Sequence, residues 1–407
     1  MTSPLQGYRV LDLSRILAGP WAGQLLADLG AEVIKVERPG SGDDTRHWGP
    51  PYLKDSRGED TGEAAYYLAA NRGKQSVTVD ITTAEGQQIL RELAVISDVV
   101  IENYKVGGLK KYGLDYDSLK AINPRLVYCS ITGFGQTGPY KQRAGYDFMI
   151  QGMGGLMSVT GEHDDLPGGG PQKVGVAVTD LFTGLYATIA IQGALLERQR
   201  SGEGQYIDLA LFDVQAAVLA NQASNYLVGG TVPKRLGNAH PNIVPYQAFA
   251  TADGYIILAV GNDRQFRNFV SLAGAPQLAD DPHFATNPAR VANREQVCAT
   301  VADLLKQKTS HYWLTELEAA GVPCGPINDI AQVFNDPQLL ERGMRTTLSH
   351  PLGGELQLPG NPIHYSRTPL HSDRPPPLLG EHTDQVLSDS LGYSDEQIRS
   401  LRENKRV

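Results

Sequence analysis

The first ~130 residues alternate short apolar, β-branched runs with longer amphipathic ones, an order that few topologies accept. Residues 8–13 read as a strand, 21–29 as a helix closed by Gly30, and 31–37 as a second strand. Residues 75–81 and 98–102 are further strands around an amphipathic helix over 83–97, and 126–131 is the next. Strands joined through helices run parallel, with right-handed crossovers. The expected fold class is therefore α/β, with a large doubly wound, Rossmann-like domain. Residues 206–212 add one more strand, and Asp213 is placed to cap a helix over 214–227.

After Gly229-Gly230 the character changes. Residues 246–250 and 255–260 read as strands around Ala252-Asp253-Gly254, a hairpin signal, and helices recur at 264–272, 293–306 and 311–320. The expected organisation is a large domain at 1–229, a smaller α+β domain at 230–333, and a segment at 334–407 that returns to the large domain. In that last segment Arg374-Pro375-Pro376-Pro377 reads as extended chain on the surface, and Ser394-Asp395-Glu396-Gln397 as a capping box opening a final helix.

Chemistry first shows at residues 174–187, where one carboxylate, Asp180, stands among mostly apolar side chains. A buried ionisable group has to be hydrogen-bonded, paired or functional. The alternating residues before it read as a short strand and 181–198 as a buried helix. Asp180 is therefore expected at a helix N-terminus, where free N–H groups and the helix dipole keep a carboxylate ionised. Such a carboxylate can attack an activated acyl group, or it can serve only as an N-cap. The turn at Gly19-Pro20 is equally two-sided. It can present N–H groups to a ligand, or be a tight turn with Pro in the first helical turn.

Net charge is −9, from 36 basic and 45 acidic residues, which argues against nucleic-acid or anionic-membrane partners. The three cysteines have neither metal nor redox spacing and fit a reducing, cytoplasmic location. No export signal is expected from the N-terminal residues, and residues 181–196 are too short a run to span a bilayer. There is no G-x-S-x-G elbow, no phosphate-binding Walker loop and no paired-ligand histidine spacing, so no metal is expected.

Several segments, taken in order, resemble the class III CoA-transferases, the family of formyl-CoA and carnitine CoA-transferases. They are Leu17-Ala18-Gly19-Pro20, Val33-Ile34-Lys35-Val36-Glu37-Arg38-Pro39, Glu102-Asn103-Tyr104, Gly133-Phe134-Gly135-Gln136-Thr137-Gly138-Pro139, Ala144-Gly145-Tyr146-Asp147, the Asp180 segment and Leu379-Gly380-Glu381-His382-Thr383. The resemblance spans nearly the whole chain. It implies that Asp180 is a covalent nucleophile passing CoA through aspartyl anhydride and aspartyl-CoA thioester intermediates. An acyl-CoA and a free carboxylic acid would be substrates, with no tightly bound cofactor. By position, the resemblance assigns Leu17, Ala18, Arg38, Ala70, Arg72, Lys74, Asn103, Tyr104, Lys111, Tyr112, Tyr146 and Asp147 to CoA binding or the lining of the site. It also implies an intertwined, interlocked-ring homodimer.

A narrower likeness, to succinyl-CoA–glutarate CoA-transferases, rests on Gly42-Asp43-Asp44-Thr45-Arg46, Ile243-Val244-Pro245-Tyr246-Gln247-Ala248-Phe249 and Pro375-Pro376-Pro377-Leu378-Leu379-Gly380. It implies a dicarboxylate acceptor, for whose distal carboxylate Arg46 is the expected partner, unless Arg46 pairs instead with Asp43 or Asp44. Two alternatives share the fold. One is an α-methylacyl-CoA racemase, which needs a second proton carrier where this chain has Tyr146. The other is a CoA-binding protein without turnover.

Overall fold

The computed structural model describes residues 3–370 and 373–407; Met1, Thr2, His371 and Ser372 lie outside the described residues. The chain divides into two compact units, one of residues 1–155, 175–218 and 337–407, the other of 156–174 and 219–336. Residues 156–174 and 219–229, read from sequence as part of the large domain, thus belong to the second unit, and the third segment begins at 337.

The first unit is built on one six-stranded sheet: β1 (Arg9–Asp12), β2 (Glu32–Glu37), β3 (Lys74–Thr78), β4 (Val99–Glu102), β5 (Val127–Thr132) and β6 (Tyr206–Ala210). They lie in the order β3-β2-β1-β4-β5-β6, and every pairing is parallel. This is the doubly wound order, in which the chain reverses direction of travel between β1 and β4. The strands are largely buried because both faces are covered, and they carry charged side chains, Asp12, Lys35, Glu37, Lys74 and Glu102, into the interior beside the apolar ones. Leu11, Ile34, Val77 and Val100 face one layer, with helix α2 (Ala84–Val95) and the C-terminal helices Thr383–Leu391 and Asp395–Glu403. Val10, Val33, Val99 and Ile101 face the other, with α1 (Ala18–Asp28) and the long helix over Val178–Ser201.

Local signals explain most element ends. Gly30, at φ +98°, follows α1, and Thr83 caps α2 by accepting from the Gly86 N–H. Ser394 and Gln397 form the expected capping box. Three expectations fail. No strand precedes Asp180; the chain is irregular to Ala177 and helical from Val178. The expected helix over 214–227 is instead two helices, Leu211–Ala217 and Ala220–Gly229, which places Asp213 inside a first turn rather than at a cap. The helix carrying Asp180 has 24 residues, so by length and composition it could cross a membrane, contrary to the shorter run read from sequence. Its Thr183, Ala187, Ile191 and Leu195 side is buried, and it packs against α1 and β5.

The second unit has an antiparallel three-stranded sheet, Cys324–Gly325, Tyr255–Ala259 and Tyr246–Ala250, covered by helices Asp263–Leu272, Arg294–Leu305 and Ser310–Ala319 around Phe266, Phe269, Val301, Trp313 and Leu317. The 246–259 hairpin forms in the expected place.

Candidate active site

In a doubly wound sheet, ligands bind beyond the carboxyl ends of the strands where the order reverses. That point lies between β1 and β4, and the loops leaving these two strands meet there. The Asn103 side chain, just past β4, accepts from the Arg15 N–H at 2.9 Å and donates to the Arg15 carbonyl at 2.7 Å. The crevice so formed has a volume of about 450 Å³. Its walls include Arg15–Ala18, Asn103–Val106, Ile131–Gly133, Lys141–Tyr146 and Asp180.

Two helices bring Asp180 to this crevice, α3 (Asp147–Met153) and α4 (Val178–Ser201). Gly184, one turn beyond Asp180, lets α4 lie against the start of α1. A Cβ there would sit 2.8 Å from the Ala18 carbonyl oxygen. Asp180 is the third residue of α4, not its cap. The N-terminal donors of α4 go instead to Asp147, whose carboxylate accepts from Thr179 N–H at 2.8 Å and Asp180 N–H at 3.3 Å. Asp180 itself is 9% exposed, and among the described residues no hydrogen bond reaches its carboxylate oxygens. Burial, then the neighbouring Asp147 charge, push its carboxyl up to about 7. The expectation that the helix terminus holds Asp180 ionised is thus corrected, because a second carboxylate occupies the N–H groups meant to do so.

The other expected site residues divide sharply. Leu17, Ala18, Asn103, Tyr104, Lys111, Tyr112 and Tyr146 all line the crevice, with the Lys111 ammonium 4.6 Å from the Tyr112 ring centre. Arg38 lines an adjoining cavity of about 390 Å³ that shares Arg15, Ile81 and Tyr104 with the first. Asp147 stands behind Asp180, through its helix, rather than on the crevice wall.

Ala70, Arg72, Lys74 and Arg46 are not on the crevice wall. Ala70 is fully buried. Arg72 pairs with Asp28 at 2.6 Å and donates to the Pro359 carbonyl at 2.7 Å. Lys74 has no exposed surface and donates to Asp12, Asn71 and the Pro20 carbonyl at 2.8–2.9 Å. Burial draws its ammonium down to about 8, against the pull of Asp12. Arg46 binds Glu37 through two nitrogens at 2.8 Å, with Glu63, the Tyr67 hydroxyl and the Pro377 carbonyl as further partners. It does not pair with Asp43 or Asp44, and it is not placed to meet a substrate carboxylate in this crevice.

Sequence reasoning did not single out the exposed cations on the wall, Lys105, Lys141 and Arg143. The Arg143 guanidinium lies 4.8 Å from the Tyr140 ring centre and 5.2 Å from that of Phe134. Tyr66 was also missed; burial and then the Asp180 charge raise its phenol above the usual range. Among the described residues, no group of three His, Cys, Asp or Glu side chains is arranged to hold a metal.

Fold and site together define an α/β protein with a ligand crevice at the sheet's reversal point and an unpaired carboxyl in its wall. The chain belongs to CoA-transferase family III, whose profile matches residues 5–383. It is 55% identical over 386 residues to a succinate–glutarate CoA-transferase of Agrobacterium fabrum, covering 95% of each chain. It is 46% identical to a human succinyl-CoA:glutarate CoA-transferase, covering 98% of this chain and 88% of that one. A solved CAIB/BAIF family protein from Brucella suis is 55% identical, with a TM-score of 0.83 over 96% of this chain and 100% of that one.

Proposed function

We propose that this enzyme moves CoA from succinyl-CoA to a free dicarboxylate such as glutarate, with Asp180 as the covalent relay. The observation that carries this reading is the Asp180 carboxyl, buried without a partner in the wall of the switch-point crevice. Ionised Asp180 attacks the thioester carbonyl, forming an acyl-aspartyl anhydride and expelling CoA thiolate. The thiolate attacks the aspartyl carbonyl, releasing the donor acid and leaving an aspartyl-CoA thioester. The acceptor carboxylate then enters by the reverse of these steps. A carboxylate is a weak nucleophile, so its raised proton affinity, its positioning and the exclusion of water have to supply the acceleration. In this reading the cavity lined by Arg38 takes the phosphate end of CoA, and Asn103, Tyr104, Lys111 and Tyr112 border the chain leading to the thioester. The two relatives named for succinyl and glutarate support the choice of donor and acceptor.

Intact-protein mass spectrometry after incubation with succinyl-CoA, with wild type beside Asp180→Ala, tests the relay. A CoA or succinyl adduct on wild type alone supports it; the same adduct on both proteins, or none on wild type, removes it.

The expected homodimer belongs to this proposal. Along α4, Phe182, Leu185, Tyr186, Ile189 and Leu196 are exposed at helical spacing, an apolar stripe of the kind that a second subunit covers. An obligate dimer has an unfolding midpoint that rises with protein concentration; a concentration-independent midpoint with a monomeric mass sinks the idea.

A further inference from the structure

Ile16 stands in the left-handed backbone region, at φ +73°. A β-branched residue is an outlier there, and such a conformation persists only where the surroundings impose it. The means of imposing it are visible. Both Asp43 carboxylate oxygens lie 3.2 Å from the Ile16 N–H. The preceding Ser14 carbonyl accepts from the Lys35 ammonium at 3.0 Å, and Lys35 and Asp43 are 2.8 Å apart with no exposed side-chain surface. Asn103 grips Arg15 between them. Each residue of the turn is thus held by a side chain from elsewhere in the unit, and the turn runs directly into Leu17 and Ala18 on the crevice wall.

Stability alone is a poor reason for a buried ion pair, since desolvation offsets most of its attraction. We propose that Lys35 and Asp43 are positioning residues for CoA transfer: the pair locks the Ile16 turn in its left-handed form and so fixes the wall beside Asp180. The proposal rests on the relay reading above. It competes with a plainer role for Asp43, which also accepts from the Thr45 N–H at 3.0 Å and hydroxyl at 2.9 Å and caps the short helix Asp44–His47.

Glycine adopts a positive φ without steric cost, which separates the two roles. Asp43→Asn is measured in the parent and in an Ile16→Gly background, reading kcat and KM for succinyl-CoA together with the thermal midpoint. If the pair acts through the turn, kcat falls by about tenfold or more in the parent while KM moves little, because a wall misplaced by an ångström costs rate rather than binding. In the Ile16→Gly background the same change then costs no more than about threefold, the signature of coupling through one element. Equal losses in both backgrounds, or kcat unchanged in the parent, overturn the proposal and leave Asp43 a cap. Where Asp43→Asn does not fold, Lys35→Gln, which removes the positive charge from the pair while keeping a polar side chain, is read by the same criterion. A parent without transfer activity sinks the relay reading; an active parent with equal losses sinks only this one.

Discussion

Two regions of the same unit bury carboxylates, with opposite results. In the first, beneath the turn after β1, every charge has a counter-charge within hydrogen-bond distance: Lys35 with Asp43, Lys74 with Asp12, Arg46 with Glu37. Burial alone would raise Asp43, yet Lys35 holds its carboxyl down at about 2. In the second region, Asp180 is buried to a similar degree, has no counter-charge and has Asp147 as its neighbour, and its carboxyl rises to about 7. The variable is the partner, not the burial. A buried charge with a partner shapes the chain, and one without a partner is held ready to react.

The largest effect expected from this contrast is on rate. Asp180→Asn should lower kcat on the order of 10⁴-fold or more, as loss of a covalent nucleophile does, and should abolish the succinyl-CoA adduct in the mass spectrum. It should not destabilise the fold. Unfolded, the Asp180 carboxyl ionises near the ordinary aspartate value of 3.8; folded, burial and the Asp147 charge bring it to about 7. Between those values the native state holds the extra proton, so stability falls as pH rises from about 4 to about 7. Urea unfolding at pH 5 and pH 8 should show part of that decline in wild type and less of it in Asp180→Asn. Identical declines would mean that the carboxyl is not perturbed.

The paired region should respond the other way, with stability changed most. Lys35→Met leaves Asp43 buried without its counter-charge, which should cost about 3–5 kcal/mol in urea unfolding at pH 7. The Asp43 carboxyl is depressed when folded, so its stabilisation is present above its unfolded pKa near 3.8 and is lost as pH falls toward 2. Arg46→Ala strands Glu37 in the same manner. It should lower stability while changing KM for glutarate and for a monocarboxylate by the same factor. A selective loss for the dicarboxylate would return Arg46 to the substrate site and break the contrast.

The two regions were unequally legible in the sequence. Apolar runs fixed where the strands would lie, and the β-branched pattern and turn glycines located β1, β2, β4 and β5 to within a residue or two. Asp180 stood out because a lone carboxylate in an apolar run is visible locally. The fate of the cations was not. Arg72, Lys74 and Arg46 carry charges that suit a phosphate or a carboxylate, but the fold brings Asp28, Asp12 and Glu37 to them from 44, 62 and 9 residues away. Only the tertiary structure decides whether a cation is already neutralised. The same limit hid what Asp147 does: the resemblance assigned it to the lining of the site, whereas in space it is the group that occupies the N-terminal donors of the Asp180 helix.

Asp147→Asn gives the smallest expected effect and the sharpest reading of the contrast. Asparagine keeps a side-chain oxygen to accept from Thr179 N–H, so α4 retains its cap while the neighbouring charge is removed. The acid limb of kcat/KM, which reports ionisation in the free enzyme, should lie near 7 in wild type and move to lower pH in the variant. It should nonetheless stay above the ordinary carboxylate range, because burial is the larger cause of the shift. A limb that does not move would show that Asp147 only caps the helix, with burial alone setting the proton affinity of Asp180. A limb that drops to the value of a free aspartate would show that the repulsion between two carboxylates, not the apolar wall, keeps Asp180 poised.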